Sequence, residues 1–295
     1  MDNSLFFTNN SPSCTIPNKI DKYEYIRLDK PKPGSFVAEL VLNRPKKLNS
    51  MTDDFFNEFN KVWDEIQSDE SIRVVVVWGE GRMFTAGLDL VSIGPLIQGD
   101  SEKSQAVQNV ELFKMVRRWQ SAFDKINKCS KPVIAAIHGY CIGGGVDLAC
   151  ACDIRLCTKD AKFSIKETKL AIVADLGTLQ RVAKICGTGF AREMAFTGED
   201  IDSENAKRCR LVNHVYADQA TLMKEARDMA ERISKNSALV AQSTKLILNH
   251  ADDHKIDEGL LRVALHNTAF LKSDDLNEAA ASFMEKRAAI FHNNL

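Results

Sequence analysis

The segment His138-Gly139-Tyr140-Cys141-Ile142-Gly143-Gly144-Gly145-Val146-Asp147-Leu148 decides the fold: it follows a strand-like apolar run and opens a helix. Three successive glycines remove every Cβ from the turn, so ligand atoms can approach the backbone closely. The first N–H groups of a helix have no intrahelical partner, and the helix dipole favours negative charge there. Such a turn is suited to holding an oxyanion. It is equally suited to tight packing. A dinucleotide fingerprint is a third option, but the spacing is not G-x-G-x-x-G and no acidic strand-end residue accompanies it.

Upstream lies a second glycine loop, Met83-Phe84-Thr85-Ala86-Gly87-Leu88-Asp89-Leu90, just after the buried-strand run at 74–78. Gly87 would allow close approach, and Leu88 could offer its backbone N–H. Two N–H groups from separate loops make a cradle for a carbonyl that becomes an enolate. Asp89 reads first as a loop-stabilising side chain that accepts local N–H groups, and second as a direct catalyst.

Downstream come the acids Asp147, Glu167 and Asp175, all in largely apolar surroundings. An unpaired acid there is costly, because desolvation penalises its charged form. Each alone can be a helix cap or an ion-pair partner, and Asp175 is placed to cap a helix over 176–185. All three together, beside two glycine loops, favour proton-transfer chemistry.

The 295 residues are 44% hydrophobic, enough to bury a large core in one or two domains. The formal net charge is −1 and no basic cluster is visible, which argues against a nucleic-acid partner. The longest apolar runs are strand-sized and too short to span a bilayer, so no membrane association is expected. The eight cysteines form no C-x-x-C pair and sit mostly in apolar stretches, where a reduced thiol behaves as a small hydrophobe. No metal site is expected among them.

Residues 1–20 read as a loosely attached arm without a signal peptide, 21–200 as a β/α core, and 201–295 as a helical C-terminal region. Strands are expected at 36–42, 74–78, 133–138 and 153–157. A helix capped by Thr52 carries Phe55, Phe59, Val62, Trp63 and Ile66 at helical spacing. The polar stretch 98–109 reads as a mobile loop at the pocket mouth. From Gly187 onward the pattern is helical, with apolar periodicity over 217–234, 238–250, 255–271 and 277–291.

The motifs K-P-V-I-A-A-I-H-G (131–139), I-G-G-G-V-D-L (142–148) and A-C-D-I-R (151–155) resemble the enoyl-CoA hydratase/isomerase, or crotonase, superfamily. The resemblance runs from about residue 27 to 291, through N-R-P (43–45), L-N-S-M (48–51) and F-M-E-K-R (283–287). It implies an α/β fold, the ClpP/crotonase-like spiral of ββα units with a helical, trimer-forming C-terminal region. It also implies a homo-oligomer, a trimer or a hexamer built from trimers. The substrate would be an acyl-CoA, with coenzyme A part of the substrate and no separate cofactor. Lys46 and Lys47 could meet its phosphates but read better as a solvated pair.

The acids choose the branch. Hydratases of the superfamily carry Glu at the positions of Asp147 and Glu167 and a glycine at that of Asp175. This chain resembles instead the members that isomerise 3,5-dienoyl-CoA to 2,4-dienoyl-CoA, whose proposed acid/base pair stands at Glu167 and Asp175. Carried over by position, the Leu88 and Gly144 N–H groups are the oxyanion donors. Ala86, Gly87, Leu88, Asp89, Leu90 and Gly144 line the thioester site, and Asp147 is a polar supporting group. The rivals are a 2-enoyl-CoA hydratase, a Δ3-Δ2-enoyl-CoA isomerase, and an inactive acyl-CoA-binding subunit, against which the retained acids argue. Fatty-acid β-oxidation implies a peroxisome or mitochondrion, although residues 1–19 make no ordinary presequence and Asn293-Asn294-Leu295 shares only its leucine with S-K-L. Two departures stand out: Ala171 where the superfamily usually has Gly, and Ala279 where Glu-Gly is common.

Overall fold

The computed structural model describes residues 23–291. The arm expected over 1–20 and the C-terminal tripeptide lie outside the described residues.

The first part of the chain contains β1 (Ile26–Asp29), β2 (Val37–Leu42), α1 (Asp53–Ser68), β3 (Val74–Gly79), α2 (Leu90–Gln98) and α3 (Gln105–Lys128). The glycine run lies in the next stretch, β4 (Val133–Ile137), β5 (Tyr140–Ile142), α4 (Gly144–Ala151), β6 (Ile154–Thr158) and β7 (Lys162–Ser164). Then come α5 (Thr178–Cys186), α6 (Thr188–Thr197), β8 (Ile201–Asp202), α7 (Ser203–Arg208) and β9 (His214–Tyr216). The described chain closes with α8 (Gln219–Ser234), α9 (Ala238–Ala251), α10 (Ile256–Phe270) and α11 (Asp274–Glu285).

One six-stranded sheet runs β1-β2-β3-β4-β6-β9. Only the β1/β2 pair is antiparallel. Its central strands read as unbroken apolar runs because both faces are covered. Val75, Val77, Val133 and Ala135 join the core built on α1, whereas Val74, Val76, Ile134 and Ala136 meet Leu222, Ala226 and Ala230 of α8. The period of two along each strand divides the residues between the two layers.

A second row of short strands stands beside the first: β5 pairs parallel with β7, and β7 antiparallel with β8. Isolated parallel bridges, Met51 to Leu88 and Thr85 to Cys141, extend that row into the earlier turns. Each turn of chain thus makes a sheet strand, a second-row strand or bridge, and a helix. This is the ββα spiral, with α8–α11 as its helical C-terminal region.

α1 is capped by Thr52, which accepts the Phe55 N–H. Its buried rings Phe56 and Phe59 pack on Trp119 and Phe123 of α3, with ring centroids 4.9 to 5.8 Å apart. Burying each such ring is worth about 1.5–3 kcal/mol, so α3 is firmly seated on α1. Gln120 and Asp124, one position on, share a different face of α3, which looks toward α5.

Three expectations change. The stretch 98–109 is not one loop: α3 begins at Gln105, where Ser104 accepts the Val107 N–H as its cap, leaving only 99–104 outside helices. The region after Gly187 is not uniformly helical, since β8 and β9 interrupt it and β9 is the last strand of the large sheet. The final helix starts earlier than expected, at Asp274, and stops at Glu285, where Lys286 turns left-handed. Among the described residues, no helix is long and apolar enough to cross a membrane.

Candidate active site

Gly143 enters α4 with φ 52 and ψ −117, a backbone conformation that favours glycine. Its N–H donates to the Ser164 carbonyl at 2.8 Å. A Cβ there would stand 3.0 Å from Oε1 of Glu167, so the missing side chain is what admits the carboxyl. Gly87, at φ 83, makes the second close approach: a Cβ on it would lie 2.6 Å from the Ile142 carbonyl oxygen and 3.4 Å from the Gly144 nitrogen. The two glycine loops are therefore in contact.

Backbone pairing fixes that contact. The Met51 N–H donates to Gly87 O and the Asp89 N–H to Met51 O, each at 2.8 Å, on either side of Leu88. Thr85 Oγ1 accepts the Gly87 N–H at 3.1 Å. Among the described residues, the N–H groups of Leu88 and Gly144 donate to no backbone or side-chain acceptor. Two unengaged donors thus stand on adjoining loops, one of them at a helix N-terminus.

Glu167 opens a short 3-10 turn, Glu167–Leu170, directly after β7. It is 8% exposed, and its Oε2 is buried without a hydrogen-bond partner. Burial pushes its carboxyl above the usual range, and the charge of Asp175 adds to the rise. Asp175 is solvent-exposed, yet surrounding protein also pushes its carboxyl up, through desolvation.

The cap of α5 differs from expectation. α5 begins at Thr178 behind Gly177, which has no side chain to cap it. The orphan Thr178 N–H donates instead to Oδ1 of Asp147 at 2.6 Å, across from α4. Asp175 is not the cap; Asp147 is. Asp147 is only 1% exposed, and burial pushes its carboxyl up to about 7. The Glu167 charge adds to that rise, while the Thr178 hydrogen bonds and the Arg181 charge oppose it.

Asp89 caps α2 by accepting the Ser92 N–H, and it pairs with Arg44 at 2.7 Å. Burial raises its carboxyl, but the bonds from Arg44, Ser92 and Ser50 outweigh that and hold it below the usual range. Its carboxylate thus ties the N-R-P turn to the donor loop. Leu90 begins α2 and is largely exposed.

Ala86, Gly87, Leu88, Gly144 and Glu167 come together, Asp147 supports them from behind, and Asp175 is coupled electrostatically to Glu167. The side chains of Gln120, Thr178 and Arg181 also belong to the neighbourhood, and no local motif announces them. Gln120 Nε2 donates to the Asp175 carbonyl at 2.6 Å.

Free N–H donors on adjoining glycine loops, beside carboxyls of raised pKa, define an enzyme site for chemistry through an enolate-like oxyanion. Residues 33–294 match the model of the Enoyl-CoA hydratase/isomerase family, and the chain belongs to that family. It is 65% identical to a Dictyostelium discoideum protein named Delta(3,5)-Delta(2,4)-dienoyl-CoA isomerase, mitochondrial, over 100% of both chains. It is 40% identical to the peroxisomal Delta(3,5)-Delta(2,4)-dienoyl-CoA isomerase of Arabidopsis thaliana, covering 92% of this chain and 98% of that one. Among solved structures, an enoyl-CoA hydratase from Bacillus anthracis superposes with a TM-score of 0.82 at 28% identity, covering 91% of this chain and 99% of that one.

Proposed function

We propose that this chain isomerises 3,5-dienoyl-CoA to 2,4-dienoyl-CoA, moving a proton from C2 to C6 through a dienolate. The observation that carries this reading is the division of labour among the acids. Asp147 is engaged at the Thr178 N–H, while desolvation raises the carboxyls of both Glu167 and Asp175 and the Asp175 charge adds to the rise at Glu167.

Glu167 takes the C2 proton. The C2–H electron pair forms C1=C2 as the carbonyl pair moves onto the thioester oxygen, giving the dienolate. The carbonyl then re-forms, the C1=C2 pair becomes C2=C3, the C3=C4 pair shifts to C4=C5, and the C5=C6 pair takes a proton from Asp175 at C6. Charge gathers meanwhile on the thioester oxygen, where the Leu88 and Gly144 N–H groups meet it. Each donor is expected to contribute about 3–4 kcal/mol in the transition state. The two carboxyls must start in opposite protonation states, which a desolvating pocket supports by favouring the neutral form of one. Proton exchange then restores both.

The acyl-CoA is the substrate and brings coenzyme A with it; the two carboxyls carry both proton transfers, so no separate cofactor enters the scheme. The mitochondrial and peroxisomal relatives support a place in organellar fatty-acid β-oxidation.

The test supplies a 3,5-dienoyl-CoA and follows the ultraviolet absorbance of the conjugated 2,4-dienoyl product. Asp175→Asn and Glu167→Gln should each lower kcat by about 10²–10⁴-fold. Undiminished turnover by Asp175→Asn, together with brisk hydration of a 2-enoyl-CoA, would favour the hydratase reading instead.

A further inference from the structure

Asp175 sits in the connection between the 3-10 turn of Glu167 and α5, outside any helix or strand. A general acid on such a segment needs something to fix its position. Two side chains from neighbouring helices hold the backbone that directly follows the Asp175 Cα. On α3, Arg117 Nη1 donates to Gln120 Oε1 at 2.6 Å, which orients the amide so that Nε2 faces the Asp175 carbonyl, also at 2.6 Å. On α5, the Arg181 guanidinium folds back over Gly177, whose missing side chain gives it room. Its Nη1 donates to the Leu176 carbonyl at 3.4 Å and its Nη2 to Asp124 of α3 at 2.5 Å. Consecutive carbonyls, 175 and 176, are thus tied to α3, which is itself seated on α1 by buried aromatic rings.

We propose that Gln120 and Arg181 are positioning residues for the isomerisation, holding the 175–177 backbone against α3 so that the Asp175 carboxyl reaches C6. Neither side chain touches the reacting atoms; both act through Asp175. The inference rests on the reaction assigned above, and it makes a narrower claim. Loss of either contact should disturb proton delivery at C6, and leave proton removal at C2 by Glu167 in place. The turn that carries Glu167 is tied through the Thr168 hydroxyl to the Ala195 carbonyl of α6, apart from the α3 contacts.

Wild type, Gln120→Leu and Arg181→Met are compared as full chains with 3,5-dienoyl-CoA. Formation of the 2,4-dienoyl product gives kcat and KM, and deuterium entry at C2 in D2O, read by mass spectrometry, reports the first step. A displacement of about 1 Å at a reacting group can slow turnover by on the order of 10²-fold. Gln120→Leu is accordingly expected to lower kcat by roughly 10- to 100-fold, with KM within about twofold and C2 exchange retained. Arg181→Met supplies the same comparison should Gln120→Leu fold poorly. The proposal is overturned if neither variant slows isomerisation, or if C2 exchange falls in parallel with isomerisation in both, which is the pattern of general damage. Failure of the reaction assignment itself would be seen earlier and differently, as wild type that forms no 2,4-dienoyl product.

Discussion

Asp147 answers two demands that oppose each other. Its Oδ1 must accept the Thr178 N–H that α5 leaves open, which favours a carboxylate, yet it is almost completely buried, which favours the acid. Burial dominates and pushes the carboxyl up to about 7. The consequence for stability follows from linkage. Between the usual carboxylate range and about 7, the folded chain holds a proton that the unfolded chain has released. Stability from this group is complete below the unfolded-state pKa and is lost as pH rises through the folded value. Asparagine keeps the accepting oxygen and cannot ionise. Asp147→Asn should therefore flatten the decline of stability between about pH 4 and about pH 7, and gain most at and above the alkaline end of that range. Glu167 and Asp175, both raised, leave a residual slope of the same sign. Urea unfolding across that range is the measurement, and an unchanged slope would remove Asp147 from the account.

At the scale of elements, the turn that presents Glu167 ends on Ala171, which adopts a left-handed φ of 58 while its N–H closes back on the Glu167 and Thr168 carbonyls. For an alanine, that conformation costs about 1–2 kcal/mol. Glycine would relieve it but adds unfolded-state entropy worth about 0.4–1 kcal/mol, so Ala171→Gly should gain between about 0 and about 1.6 kcal/mol. Ala171→Val, strained at the same φ, should lose about 1–3 kcal/mol. The site is exposed, so packing does not confuse the comparison, and urea midpoints that ranked valine with glycine would contradict it. This residue also shows how legible the elements were. The departure at 171 is visible in the sequence, whereas its left-handed geometry is not. β3 and β4 were readable because sheet strands covered on both faces leave continuous apolar runs, and α1 because its buried face repeats with helical period. α3 was not, because its buried positions, Trp119, Ala122, Phe123 and Ile126, are confined to its second half and its first half is exposed. β5, β7 and β8 are two or three residues long, too short for any periodicity. In the site, the glycine loops and acids could be picked out by composition and resemblance. The exchange of cap between Asp175 and Asp147 could not, since it joins residues 31 apart through a fold that local pattern does not encode.

Across the whole molecule, the described chain finishes its sheet, its spiral and its donor loops, but leaves one layer uncovered. α10 has 15 residues and none is buried. Ile256, Leu260, Leu261 and Leu265 are each at least 60% exposed along it. A helix of that length is marginal in water unless an apolar face is packed. Each such side chain, once buried, is worth about 1.5–3 kcal/mol. Beside it, a groove of about 950 Å³ between α8, α9, α10 and α11 is walled by Leu248, Phe270, Leu271 and Leu276. Contiguous apolar surface on this scale marks an interaction site more often than a free surface. The expected occupant is another copy of the chain, in a trimer or a hexamer built from trimers, whose contact would complete the packing of α10. Sedimentation velocity at micromolar protein should show such an assembly. Leu260→Glu with Leu261→Glu should shift it toward monomer, because two carboxylates on that face must be desolvated without partners. The same variant should lose helical signal, since α10 would be left without its packing surface. A wild type that sediments as a stable monomer with α10 fully helical would refute this reading of the C-terminal helices.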